Sequence, residues 1–331
     1  MKRALLLLLA ACPGERSAQP DARGGSPDAV VDASQVGGLP DRRVNNVIVG
    51  ETLTLWSHGE FICSLEFGCP QGPTVTGFHA PLNSVSTWVD GGVGTWQIAG
   101  TETELFLVNG ESDQEMYLRR IGGVGHAALS IPRPYLMGPA VDDSFVYWAE
   151  GTIGFAGHEL RRAARDGDGS DATTIASLDH GTEHLTYAAG YLWWTEFPNP
   201  QLTRVPVTGG TPERVLGFVT FVTAASDGVY VGRSLFAGGG VWDAEIGHVS
   251  TDGSYQPIAR QPATDRAPRY IVADGEQIFW SLGDGSLYFA PIAGGSVGSI
   301  AVDDKAGFAF AVLPDRFLVE LTRNGFRTVA R

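Results

Sequence analysis

The chain has 331 residues, 43% of them apolar, which furnishes a core and suits either two average domains or one large all-β unit. A formal charge of −14 argues against a nucleic-acid partner, since phosphate binding needs a basic surface, and gives no pull towards anionic lipid. Glycine is in excess at 44 residues, with 19 prolines beside it, a composition of short strands joined by tight turns.

In chain order, Met1-Lys2-Arg3 is a short basic start, and Ala4 to Ala11 is an unbroken apolar run. A membrane span takes ~20 residues, so this run matches the hydrophobic segment of an export signal instead. It ends in Leu9-Ala10-Ala11-Cys12, which resembles the bacterial lipobox. The resemblance implies cleavage before Cys12, a diacylglyceryl group on its thiol, and lipid anchoring in the cell envelope. Pro13 at the second mature position, where inner-membrane retention has Asp, implies the outer membrane. Each buried CH₂ of such an anchor contributes ~0.8 kcal/mol. From Pro13 to Arg42 the sequence is rich in Pro, Gly, Ser, Ala and Asp without apolar period, too polar to offset its ordering entropy. It reads as a tether of roughly 30 Å. The organisation expected is a cleaved signal at 1–11, lipidated Cys12 and tether at 12–42, and one folded domain at 43–331. Within that domain, Cys63 and Cys69 are expected to form a disulfide, because export removes the reducing cytosol. They lack companion ligands at zinc spacing.

The rest of the chain repeats itself. The unit is an apolar strand, a turn, a strand of the form apolar-aromatic-Trp, a turn, a strand often carrying Leu-x-Arg, a Gly-rich turn and a last short strand. Its clearest copy has Phe145-Val146-Tyr147-Trp148-Ala149-Glu150, Leu160-Arg161-Arg162 and Asp166-Gly167-Asp168-Gly169; the next has Trp193-Trp194-Thr195-Glu196 and Leu202-Thr203-Arg204. Trp56, Leu107, Trp148, Trp194, Val231, Trp280 and Val319 anchor successive copies at a mean interval of about 44 residues, the length of four strands with their turns. The expectation is all-β: a single β-propeller of seven four-stranded blades, with six or eight as alternatives, closed by pairing of N- and C-terminal strands. Val44 to Val49 is expected to supply the missing strand of the terminal blade. Tyr147-Trp148-Ala149-Glu150 and Trp193-Trp194-Thr195-Glu196 look like degenerate YWTD repeats, a resemblance covering roughly residues 95 to 302 that implies the same architecture.

Trp148, Trp194 and Trp280 recur at one strand position, which predicts packing between neighbouring blades rather than a sugar-stacking platform. Asp166 to Asp171 lacks the Gly and the acid that a calcium loop needs at its sixth and twelfth positions, and reads as a hairpin turn. Trp88 to Trp96 resembles a sialidase Asp-box but lacks its leading Ser or Thr, and also reads as a turn. Asp179-His180-Gly181-Thr182-Glu183-His184 is the densest polar stretch and is predicted where one blade hands over to the next, beside the central channel. Glu150, Glu196, Asp265, Arg266 and Asp303 are assigned to the same face. The expected function is an envelope-anchored propeller that binds or scaffolds a protein, peptide or glycan, with no nucleic acid involved and no cofactor indicated. The alternative is a propeller hydrolase or lyase with a metal or acid–base pair near His180 and Glu183.

Overall fold

The computed structural model describes residues 30–32, 44–49, 53–58, 75–79, 84–89, 93–100, 104–112, 115–122, 129–133, 136–151, 157–264, 267–282, 286–300, 306–312, 316–321 and 325–330. Side chains are described only between residues 98 and 312. Cys12, Cys63 and Cys69 lie outside the described residues. Those described form 28 strands and no helix.

After β1 (Val30–Asp32), the strands pair antiparallel in fours, each sheet built from consecutive strands. The first such sheet is β2 (Val44–Val49), β3 (Leu53–His58), β4 (Val75–His79) and β5 (Ser84–Val89). Next come β6 (Val93–Gly100), β7 (Glu104–Ser112), β8 (Glu115–Gly122) and β9 (Ser130–Arg133). The following sheet is β10 (Leu136–Val141), β11 (Phe145–Glu150), β12 (His158–Ala164) and β13 (Thr173–Leu178). Then follow β14 (Gly181–Ala188), β15 (Tyr191–Phe197), β16 (Gln201–Pro206) and β17 (Glu213–Gly217). β18 (Val219–Ala225), β19 (Gly228–Gly238), β20 (Val241–Ser250) and β21 (Tyr255–Thr264) form another. β22 (Pro268–Ala273), β23 (Gln277–Leu282), β24 (Leu287–Pro291) and β25 (Gly298–Ile300) come after it. Finally β26 (Ala306–Val312), β27 (Arg316–Leu321) and β28 (Gly325–Ala330) take β1 as their fourth member, with Val31 opposite Phe326. First strands pack against first strands in the order β2, β6, β10, β14, β18, β22, β26, and β26 packs against β2.

One expectation is not met. Val44–Val49 does not complete the terminal sheet: it pairs with β3, Val47 opposite Trp56, and Val30–Asp32 pairs with β28 instead. Loop closure explains the difference, since Leu53–His58 follows only a few residues after Val49 and is entropically the nearer partner. The three residues of β1 are too few to stand out as a strand within a Pro- and Gly-rich stretch.

Every repeat anchor falls on the second strand of its sheet. Where side chains are described, in β7, β11, β15, β19 and β23, that strand has consecutive buried residues, which explains the aromatic-Trp doublet, because a two-sided strand reads as consecutive apolar residues rather than alternating ones. Trp148 packs back on the preceding sheet with Phe106 and Leu118, whereas adjacent Tyr147 packs forward with Leu192 and Trp194. Trp194 likewise faces backward and Trp193 forward, onto Val219 and Val222. Trp148, Trp194 and Trp280 are at most 1% exposed, so each contributes at least the ~1.5–3 kcal/mol of a buried large side chain.

The Leu-x-Arg motif has its own geometry. Its arginine sits on the third strand and reaches the turn before the outermost strand of the following sheet. Arg120 donates to the carbonyls of Arg165 and Gly167, Arg162 to Val207 at 2.8 Å, and Arg204 to Thr251 at 2.5 Å. Each guanidinium also lies over a ring of its own sheet: Phe106 at 5.9 Å, Phe145 at 4.6 Å, and Tyr191 and Trp193 at 4.9 and 5.1 Å. These stacked, charge-assisted bonds stitch one sheet to the next. In the following sheets the same register position holds His248 opposite Tyr230 and Phe289 opposite Phe279, so the clamp ends there. Arg162→Leu or Arg204→Leu is therefore expected to cost about 2 kcal/mol and lower the thermal midpoint by several degrees. Calorimetry checks it, and a midpoint unchanged in both variants would show that the clamp is decorative.

Candidate functional site

Asp179 and His180 form the two-residue handover between β13 and β14, whereas Gly181 to His184, the rest of that polar stretch, belong to β14. With Glu196 at the end of β15 they line a cleft of about 340 Å³ between the two sheets. Thr203 on β16 and Arg214 on β17 complete its polar wall, and Trp194 and Leu178 are its apolar parts. Glu196, only 8% exposed, accepts a hydrogen bond from the Thr203 hydroxyl at 2.8 Å and pairs with Arg214 Nε at 3.2 Å. The row Trp194, Thr203, Arg214 runs straight across three strands by register.

The same arrangement recurs along this face with exchanged partners. Glu150, also buried, accepts from Trp148 Nε1 at 2.9 Å, from Arg161 at 2.7 Å, and from Arg133 of the preceding sheet at 2.9 Å. Its oxygens therefore tie two sheets together. Two positions after its repeat anchor, the β18–β21 sheet replaces the acid by Arg233, which meets Glu245 at 2.9 Å. Glu245 also accepts from the Tyr255 hydroxyl at 2.6 Å, and burial and that bond raise the phenol pKa. Asp243 holds Arg260 at 2.7 Å. Each of these buried carboxylates is neutralised by an arginine, as desolvated charges require.

Glu183 and His184 lie elsewhere, within β14 itself. Pairing with β15 slips between Glu183 and Thr186, and His184 takes a φ of +51°. First strands repeat this irregularity: the register also shifts between Met137 and Ala140, Val219 and Phe221, and Pro268 and Tyr270. Such bulges turn side chains out of the ladder. The His184 ring meets Phe221 at 4.5 Å, and Phe221 meets Tyr270 at 5.3 Å, linking three successive first strands. Burial raises the Glu183 pKa and the nearby Arg269 opposes the rise. Burial, then the same Arg269 charge, pushes His184 down to about 4. Among the described residues no hydrogen bond joins His180 to Glu183, and no group of three or more His, Cys, Asp or Glu gathers closely enough to hold a metal. Asp265, Arg266 and Asp303 lie outside the described residues.

Of the sequence candidates, the structure thus brings Asp179, His180 and Glu196 to one cleft and puts Glu150 and Glu183 in other surroundings. It adds Arg214 and Thr203, which sequence reasoning passed over. Glu213-Arg214 lay in a recognised repeat, but only strand register shows that Arg214 sits across from Thr203, beside Glu196.

No family model matches the chain, and no curated protein matches it. Among solved structures, it is similar to YCF48 bound to D1 peptide, at 9% identity and a TM-score of 0.60 over 94% of this chain and 99% of that one. A chain of the mitotic checkpoint complex aligns at 12% identity and 0.58 over 100% and 99%. BamB from Moraxella catarrhalis aligns at 10% and 0.52 over 87% and 85%. With four-stranded sheets packed first strand to first strand, these likenesses decide the architecture. The fold is a β-propeller. At such identities they speak to the propeller alone, and the cleft between two of its blades stands on its own geometry.

The titration of His184 is a direct check of the propeller's centre. Its imidazole resonances are expected to titrate near pH 4 rather than 6.5, and Arg269→Gln is expected to raise that midpoint by removing a like charge. A midpoint near 6.5 by NMR would place the ring in open water.

Proposed function

We propose that the chain is an exported lipoprotein, anchored at Cys12 in the outer membrane, whose propeller is a binding module for a protein, peptide or glycan. The observation that carries the reading is the cleft where Asp179, His180 and Glu196 converge with Arg214 beside the blade handover. A concave site where several polar groups converge beside an apolar patch, here Trp194 and Leu178, can orient and hold a ligand. Solved propellers of similar fold include one bound to a peptide and one within a multi-protein complex, which suits this reading.

The propeller has seven blades and is closed by its own N-terminal strand. The ring of first strands, in which β26 returns to β2, supports this, as does β1 on β28. Closure removes sheet edges that would otherwise invite pairing with other chains. β1 then serves as an outer strand, so it enters from the side of the turns joining third and fourth strands. The stretch before Val30 therefore joins the propeller on the side away from the handover loops, and the expected tether of 12–42 gives up Val30–Asp32 to the terminal blade.

Two measurements test the two halves of the proposal. Cys12→Ser is expected to abolish incorporation of labelled palmitate and to move the protein from the membrane to the soluble fraction. Retention of the label in that variant would remove the anchor. A photoreactive phenylalanine at His180 of the full chain is expected to give a discrete cross-linked adduct in the envelope. The same group at Asp168, in the turn between β12 and β13, is expected to give none. Equal labelling from both positions, or none from 180, would remove the cleft.

A further inference from the structure

The exposed large apolar side chains among the described residues are Phe197, Phe218, Phe236 and Val241. All four belong to two successive blades and to the side that carries the cleft. Phe197 follows Glu196 of the cleft wall, Phe218 is the handover from β17 to β18, and Phe236 and Val241 flank the tip of the β19–β20 hairpin. That hairpin has strands of 11 and 10 residues, where second and third strands of the neighbouring blades have five to seven. Its turn, Gly238-Gly239-Gly240, has positive φ at every position, which glycine alone adopts without strain. Phe236 meets Trp242 across the hairpin at 5.1 Å.

Phe218 is held outward against its own preference. Its φ is +60°, an outlier for a bulky residue, and hydrogen bonds fix the backbone on every side of it. Arg233 donates to the Gly217 carbonyl at 3.2 Å, Ser234 N–H to the Phe218 carbonyl at 3.1 Å, and Val219 N–H to the Pro200 carbonyl at 3.0 Å. Strain that the surroundings over-determine, spent on turning a phenylalanine 58% open to solvent, belongs to sites that bind.

Charge says what binds. Arg214 in the cleft, and Arg133, Arg161, Arg233 and Arg260 in the blades around it, are each matched to a carboxylate, while Arg269, at the start of β22, spends its charge on Glu183 and His184 of β14. Asp179 is exposed and, among the described residues, carries no ion pair. The uncommitted charge of the cleft is therefore negative, on a chain of net charge −14 that draws cations from a distance.

We propose that the cleft and the adjoining Phe197–Phe218–Phe236 ridge form one docking surface for an extended peptide segment. That segment places a basic side chain against Asp179 in the cleft and an apolar side chain on the ridge. This rests on the reading of the propeller as a binding module and assigns its ligand class.

The test uses the full chain in detergent and fluorescence anisotropy with three series of short synthetic peptides. One carries an Arg and a Phe joined by Gly-Ser spacers of graded length, the second has Glu for Arg, and the third has Ser for Phe. Vesicles of phosphatidylethanolamine and phosphatidylglycerol are the fourth probe. The first series is expected to bind about tenfold tighter than the second and third at its best spacing. Asp179→Asn is expected to erase most of the preference for Arg over Glu. Phe218→Gly is expected to weaken binding roughly fivefold without lowering the thermal midpoint, since glycine relieves the strain there. Equal affinity for the Glu series, binding to vesicles alone, no binding by any series, or full affinity in both variants would each overturn the proposal. A persisting cross-link from position 180 alongside such a result would keep the binding module and discard only this ligand class.

Discussion

A second strand with a neighbouring sheet on each side has no solvent face, and that constraint organises the molecule. Consecutive residues must both be apolar or satisfied, so Tyr147 and Trp148, or Trp193 and Trp194, point in opposite directions and join three sheets between them. Polar groups can enter such a strand only with partners. Glu150 and Glu196 therefore meet arginine and hydroxyl or indole donors as soon as their strands emerge from the core. The third-strand arginines answer the same need from the other side, covering a ring of their own sheet while capping carbonyls of the next.

The candidate site follows from this packing. A handover of two residues, Asp179 and His180, leaves a gap where β13 and the β15–β17 strands diverge, and the ion pair of Glu196 with Arg214 keeps it open and polar. One blade further, the chain lengthens a hairpin, exposes its aromatics and strains Phe218. Neither feature serves the core. Both sit on the side that the bulged first strands and handover loops already make irregular, where binding surfaces on regular scaffolds are found.

Much of the architecture was legible because it repeats. The Trp anchors, the Asp-Gly turn after β12 and the handover at Asp179 all fell where spacing put them. The site was legible only in part. Asp179, His180 and Glu196 share a cleft, but Glu150, picked on the same grounds, is enclosed by Arg133, Arg161 and Trp148. The two differ by which outer-strand residue register brings opposite, and register is not written in spacing. Glu183 was grouped with His180 by proximity in sequence, yet it is drawn into β14 opposite Thr195, at the edge of a bulge in which His184 and Leu185 oppose Trp194, and it feels the charge of Arg269.

The sequence by itself determined the strand period, the two-faced burial of the Trp-bearing strands β11, β15 and β23 and the composition of the turns, because these depend on local periodicity and on what glycine and tryptophan can do. Only the tertiary structure decided which carboxylates are spent on arginine, which strand joins β28, and that the exposed large apolar side chains among the described residues fall on two successive blades. Those are relations between residues far apart in the chain. They are fixed by register and by the curvature of blade against blade, quantities that no single segment carries.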